Sequence, residues 1–180
     1  MKTLVPLAVM LIMCFAPRAG SQIIEGPLGI QLGEDVLEPL RKLKPYGPPR
    51  HEREGVRDIY HYENVPFLRW TTSVWVTACN DEKVISVSLG WKIKEKANAY
   101  EDRNFLVDLL TEKYGRQNEM EIPLKKPKRP KKFDILNQMF WTLKGRQVQF
   151  DFYYSNSEYH LSLQYYILGN CPQEVNPMGY

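Results

Sequence analysis

The stretch Val148-Gln149-Phe150-Asp151-Phe152-Tyr153-Tyr154, the turn Ser155-Asn156-Ser157-Glu158, and the return Tyr159-His160-Leu161-Ser162-Leu163-Gln164-Tyr165-Tyr166-Ile167 decide the fold. Apolar residues recur at every second position on both sides of a polar turn, which is the pattern of a hairpin with one buried face. Val148, Phe150, Phe152 and Tyr154 share one side of the first strand. Tyr159, Leu161, Leu163, Tyr165 and Ile167 share one side of the second. Before Lys144-Gly145-Arg146, Trp141 and Leu143 supply a third strand, completing a meander. Upstream, Glu101-Asp102 opens a helix whose apolar stripe, Phe105, Leu106, Leu109 and Leu110, ends at Tyr114-Gly115, with glycine as the stop. Between helix and strands, Arg116 to Lys132 reads as loop, because Pro123, Pro127 and Pro130 oppose helix and sheet alike.

The first half follows the same plan more faintly. Gly33-Glu34-Asp35 starts a helix carrying Val36, Leu37, Leu40 and Leu43, shortened or kinked at Pro39 and stopped by Tyr46-Gly47-Pro48. Arg50 to Asp58 reads as loop, and Ile59 to Tyr62 as a strand limited by Pro66. A clearer hairpin follows. Trp70, Thr72, Val74, Val76 and Ala78 share a face, Asn80 to Lys83 turns, and Ile85, Val87, Leu89, Trp91 and Ile93 share a face on the return. The expected class is α+β: an antiparallel meander sheet with two helices packed on one face. The order suggests a helix-plus-three-strand pseudo-repeat, with halves 27–94 and 100–168 in a single domain spanning 22–170.

The N-terminus reads as an address. Met1-Lys2-Thr3 is a short basic region and Leu4 to Phe15 an apolar run of signal-peptide length, too short to span a bilayer. Ala19-Gly20-Ser21 places small residues for cleavage after Ser21 and export to the periplasm or beyond. Met13, where a lipid-attachment motif wants a small residue, argues against an anchor at Cys14. The remaining Cys79 and Cys171 favour a disulfide over free thiols in an exported chain. The residues from Cys171 to Tyr180 read as a loose tail, and no later stretch is apolar enough to cross a membrane.

The Gly-punctuated entry Gly29-Ile30-Gln31-Leu32-Gly33, the helix end Leu43-Lys44-Pro45-Tyr46-Gly47-Pro48, and Leu110-Thr111-Glu112-Lys113-Tyr114-Gly115 resemble small bacterial envelope domains of the BamE and β-lactamase-inhibitor-protein type. The likeness would run from about Gly26 to Leu168. It implies a helix followed by antiparallel strands, sometimes twice, in a non-catalytic binder: an assembly factor, an enzyme inhibitor or an immunity protein. These motifs specify structure, so no binding residue carries over. The chain departs from the type in its lysine-rich insertion and in lacking a convincing lipid-attachment motif.

Catalytic patterns are sparse. His51, His61 and His160 show no metal-ligand spacing, and neither a Gly-x-Ser-x-Gly elbow nor a phosphate-cradling glycine loop is present. Cys79 beside His61 or His160 could form a nucleophile pair, but cystine pairing is the stronger reading. Glu34, Asp35, Glu101 and Asp102 sit at helix starts, where the helix dipole accounts for them. A secreted hydrolase with a carboxylate pair stays open, because such pairs leave little sequence signature. No cofactor is implied.

Two features point to a partner. Lys125, Lys126, Lys128, Arg129, Lys131 and Lys132 form a cationic run broken by prolines; without Met1 to Ser21 and this run, 16 basic face 21 acidic residues. The run suits an acidic protein or an anionic envelope component, or serves only as a solvated loop. Nucleic acid fits poorly, since no aromatic interrupts it for base stacking. Trp75, Tyr153 and Tyr166 fall opposite the inferred core sets, where aromatic anchors favour a binding surface. The sequence therefore favours an exported inhibitor or immunity-type protein that neutralises a secreted enzyme, with an assembly factor next.

Overall fold

The computed structural model describes residues 26–171 except positions 81, 118, 129 and 170. The signal-peptide, Cys14, Arg129 and tail readings (the tail beyond Cys171) lie outside the described residues. The chain forms helix α1 (Leu37–Leu43), strands β1 (Arg50–Glu54), β2 (Arg57–Phe67), β3 (Trp70–Cys79) and β4 (Lys83–Ile93), and helix α2 (Lys96–Tyr114). Strands β5 (Glu119–Ile122), β6 (Phe133–Leu143), β7 (Arg146–Ser155) and β8 (Glu158–Ile167) follow. All eight strands join one antiparallel sheet in the order β1-β2-β3-β4-β8-β7-β6-β5. Two four-stranded meanders, each preceded by a helix, thus meet where β4 pairs with β8. The α+β class, the meander and the two helices are as the sequence predicts.

Each half carries one strand more than expected, and both additions lie at an edge. Arg50 to Asp58, expected as loop, contributes β1, whose five residues are all exposed. With no buried face it has no alternation to read, and its charges guard the open edge. β5, only four residues long and stopped before Pro123, falls in the second expected loop. β2 also continues past Tyr62 through Pro66 by way of a bulge between Tyr62 and Val65, with Asn64 at φ 58°.

One hydrophobic cluster fills the space between helices and sheet, drawing on both halves. Phe150, Phe152, Trp141, Leu161, Leu163, Val74, Val76, Val87 and Leu89 are buried there as alternation predicts. β4 departs from that pattern at its start. The register slips between Thr77 and Ala78, so Ala78 faces Val84; Val84 is buried, and Ile85 is only partly covered. A bulge inserts one residue and inverts the faces before it, which period-two counting cannot detect.

The helices differ from expectation in which residues they bury. α1 has seven residues, with Pro39 in its first turn, where a missing N–H costs no intrahelical bond. Val36 and Leu43 are buried, while Leu37 is 61% exposed. α2 begins at Lys96, before the expected Glu101-Asp102 start, and buries Ala99, Leu106 and Leu110; Phe105 and Leu109 are exposed. Gly115, at φ 80°, ends the helix as predicted, its N–H bonding to Thr111 O at 2.8 Å.

Polar ties fix α2 to the sheet. Arg103 donates from Nε and Nη2 to Asn137 Oδ1 at 3.0 and 2.7 Å, and fully buried Asn137 donates from Nδ2 to Ile122 O at 2.8 Å. Burial pulls the Arg103 guanidinium below its usual pKa, with Asp108 opposing. Trp70 Nε1 donates to Asp102 Oδ2 at 2.8 Å and Trp141 Nε1 to Gly115 O at 3.0 Å. Asp102, expected to serve the helix dipole, instead lies inside the helix and ties down Trp70 and Arg69. Cys79 and Cys171 form the expected disulfide, with Cα atoms 5.8 Å apart, joining the end of β3 to the segment after β8.

Candidate functional site

The helices cover one face of the sheet; the other is open. Strand alternation puts Trp75, Ser88, Gln164 and Gln149 in one row across β3, β4, β8 and β7 of the open face. Ser73, Gly90, Ser162 and Asp151 form the next row, and Lys92, His160 and Tyr153 the row beyond. Side chains on this face are chiefly small or polar and uncharged, so the few rings stand out.

Those rings come as stacked pairs. His61 on β2 lies parallel to Trp75 on β3, with centroids 4.7 Å apart and planes 2° apart. Tyr153 on β7 lies parallel to His160 on β8, with centroids 4.8 Å and planes 3° apart. Between the pairs runs β4, and Gly90 makes room: a Cβ there would sit 3.2 Å from Trp75 Cζ3. The indole therefore lies against bare backbone, and a depression of about 550 Å³ opens beside it, reaching Glu63, Lys92, Tyr153 and His160.

Hydrogen bonds set the polarity of each wall. His160 Nε2 donates to Ser155 O at 3.1 Å, which leaves Nδ1 as the acceptor of the neutral ring. His61 Nε2 is buried with no hydrogen-bond partner among the described residues. Burial, with Asp151 adding, raises the Tyr153 pKa, so its hydroxyl stays a neutral donor at physiological pH. Asp151 itself is held by amides: Gln138 Nε2 donates to Oδ1 at 2.7 Å and Gln149 Nε2 to Oδ2 at 2.8 Å.

Tyr166 faces the same side but at a distance. Its register partners are Ser86 and Gln147, and its hydroxyl donates to Gln147 Oε1 and, at 3.4 Å, to Gln149 Oε1. Six residues along β8 separate it from His160, about 20 Å of strand. Trp75 and Tyr153 thus border one depression, while Tyr166 belongs to a glutamine network at the other end of the face.

The lysine run is a separate surface. Tyr100 OH on α2 donates to Lys125 O at 2.8 Å, and Lys96 Nζ to Pro127 O at 2.8 Å. Tyr100 also packs against Phe152 and Tyr159 in the core, so Lys125 and Lys126 lie on the helix-covered side. Lys131 and Lys132 lead to Phe133, whose ring lies 6.0 Å from Tyr153. Lys128 lies between these ends and is exposed.

Neither thiol is free for the Cys–His nucleophile reading, because Cys79 is bonded to Cys171. Among the described residues no group of three or more His, Cys, Asp or Glu is placed to hold a metal. His61, Gly90 and His160 are site residues that the sequence left as ordinary strand positions. The Tyr153–His160 pairing could have been counted outward from the turn at Asn156-Ser157. His61 against Trp75 could not, since the bulge after Tyr62 shifts the count. No family model, curated protein or solved structure matches the chain.

Proposed function

We propose that this protein is an exported, non-catalytic binder that seats a segment of another protein on the open sheet face, as an inhibitor or immunity-type protein of a secreted enzyme does. One observation carries this reading: the two parallel ring pairs, His61–Trp75 and Tyr153–His160, stand on either side of Gly90, and Trp75, Tyr153 and His160 border one depression. Aromatic anchors set in a polar surround match the composition of protein-binding hot spots. Asp151, near the middle of the face, is held by glutamine amides. The resemblance read from the sequence, to BamE and inhibitor-protein domains, implies the same class. Export is part of the proposal: the Cys79–Cys171 bond suits an oxidising compartment, and no helix among the described residues is long and apolar enough to cross a membrane.

Site-directed photocrosslinking tests it. A photoreactive side chain at Ser88 or Ser162, next to the depression, is expected to trap one envelope or secreted protein, and the purified protein is expected to inhibit that partner. The same probe at Glu52 on β1 is expected to trap nothing comparable. Equal trapping at all three positions would overturn the proposal.

A further inference from the structure

The sheet end where β4 passes into α2 carries a concentration of charge that the open face does not use. Lys94 and Lys96 lie there, and the contacts of Lys96 with Pro127 and of Tyr100 with Lys125 fold the lysine run against them. Lys94, Lys96, Lys125, Lys126, Lys128, Lys131 and Lys132 are all exposed, and none forms an ion pair among the described residues. Nearby acids are few or engaged. Glu158 pairs with Lys92 at 3.8 Å, Asp102 and Glu101 pair with Arg69, Glu95 accepts from Asn98 Nδ2 at 3.1 Å, and Asp134 remains.

The same end exposes two large apolar side chains. Leu68, at the β2–β3 turn, is 57% exposed, and Phe133, which begins β6, is 59% exposed. Phe67 pairs with Trp70 to close the turn, Ile93 pairs with Tyr159, and Phe133 pairs with Ser155, so all these termini lie along one edge of the molecule. Four strand spacings separate β3 from β6, about 19 Å. Leu68 and Phe133 thus stand well apart along the edge that carries the lysines.

We propose that this sheet end docks the protein onto an anionic phospholipid surface, with the lysines on headgroups and Leu68 and Phe133 entering the interface. Prolines at 123, 127 and 130 keep the run extended, so its charges are spread out rather than gathered around one carboxylate. Dispersed point charges with separated apolar contacts suit a flat, laterally uniform partner better than a single acidic protein site. Each lysine near such a surface strengthens partitioning about fivefold. The docking uses the end of the sheet, meets the open face only at its rim, where Phe133 lies beside Tyr153, and leaves the rest of that face uncovered.

Cosedimentation of the disulfide-bonded protein from Gln22 to Tyr180 with lipid vesicles tests this. Binding is expected to equimolar phosphatidylcholine–phosphatidylglycerol vesicles and not to phosphatidylcholine alone, and to weaken with salt. Replacing Lys125, Lys126, Lys128, Lys131 and Lys132 together by Gln is expected to lower partitioning about a hundredfold or more. Leu68→Ser with Phe133→Ser is expected to lower it several-fold, with an unchanged circular dichroism spectrum. Equal binding to both vesicle types, or no effect of the lysine replacements, overturns the proposal. Retention on soluble polyglutamate with no affinity for vesicles also overturns it, and assigns the surface to an acidic polymer.

Discussion

The two faces of this sheet use similar residues for different ends. On the covered face, Phe152, Tyr159 and Tyr154 contact one another edge-on and in stacks within a buried cluster. On the open face, aromatic rings pair with histidines, stay partly exposed, and border a depression. Ring content therefore does not distinguish core from site. What separates the faces is whether a helix lies over the rings, and α2 is tied over its face at Asn137, Trp70, Trp141 and Lys125. Changes on the covered face are expected to cost stability, and changes on the open face to cost binding.

The largest effect is expected from the bond that joins the two halves. Replacing Cys79 and Cys171 by Ser opens a connection between residues 92 apart in sequence, and about 4–5 kcal/mol of stability is expected to go with it. Phe150→Ala on the covered face is expected to cost about 3–5 kcal/mol, measured by denaturant unfolding of the disulfide-bonded protein. Asn137→Ala comes next, at about 1–3 kcal/mol, because it strands the half-buried Arg103 guanidinium and the Ile122 carbonyl. A loss below these ranges at both sites would show that the covered face is not the main source of stability.

Alkaline pH probes the same face more gently. Burial raises the Tyr165 pKa well above its usual value, with Tyr114 contributing. A phenol whose pKa is higher folded than unfolded contributes stability that is complete below the unfolded pKa, about 10, and falls as pH rises beyond it. Tyr165→Phe is expected to flatten the decline in stability above that pH. An unchanged slope would show that Tyr165 does not hold its proton in the folded state.

Much of the fold can be read in the sequence because the central strands bury one side only. Thr72 to Ala78, Val148 to Phe152 and Tyr159 to Tyr165 each alternate without a break. The edge strands were illegible for the opposite reason: the five residues of β1 bury nothing, so their strand character comes only from pairing with β2. Bulges hid the rest, turning Val84 inward and bringing His61 onto Trp75. The site was half legible. Trp75 and Tyr153 announce themselves as aromatics opposite the core set, but Gly90 acquires its role only from the indole lying against it. Lys96 meets the lysine run only through its bond to Pro127, 31 residues away in sequence, beside that of Tyr100 to Lys125, 25 residues away.

The central claim is that the open face binds while the covered face stabilises, and the double substitution Trp75→Ala, Tyr153→Ala tests it most directly. Its unfolding midpoint and its capture of the crosslinked partner should be measured on the same preparation. The account expects capture to be lost, with stability lowered by about 1–3 kcal/mol, since two partly exposed ring pairs are given up. Full capture, or a loss of capture that only tracks a large loss of stability, would contradict it.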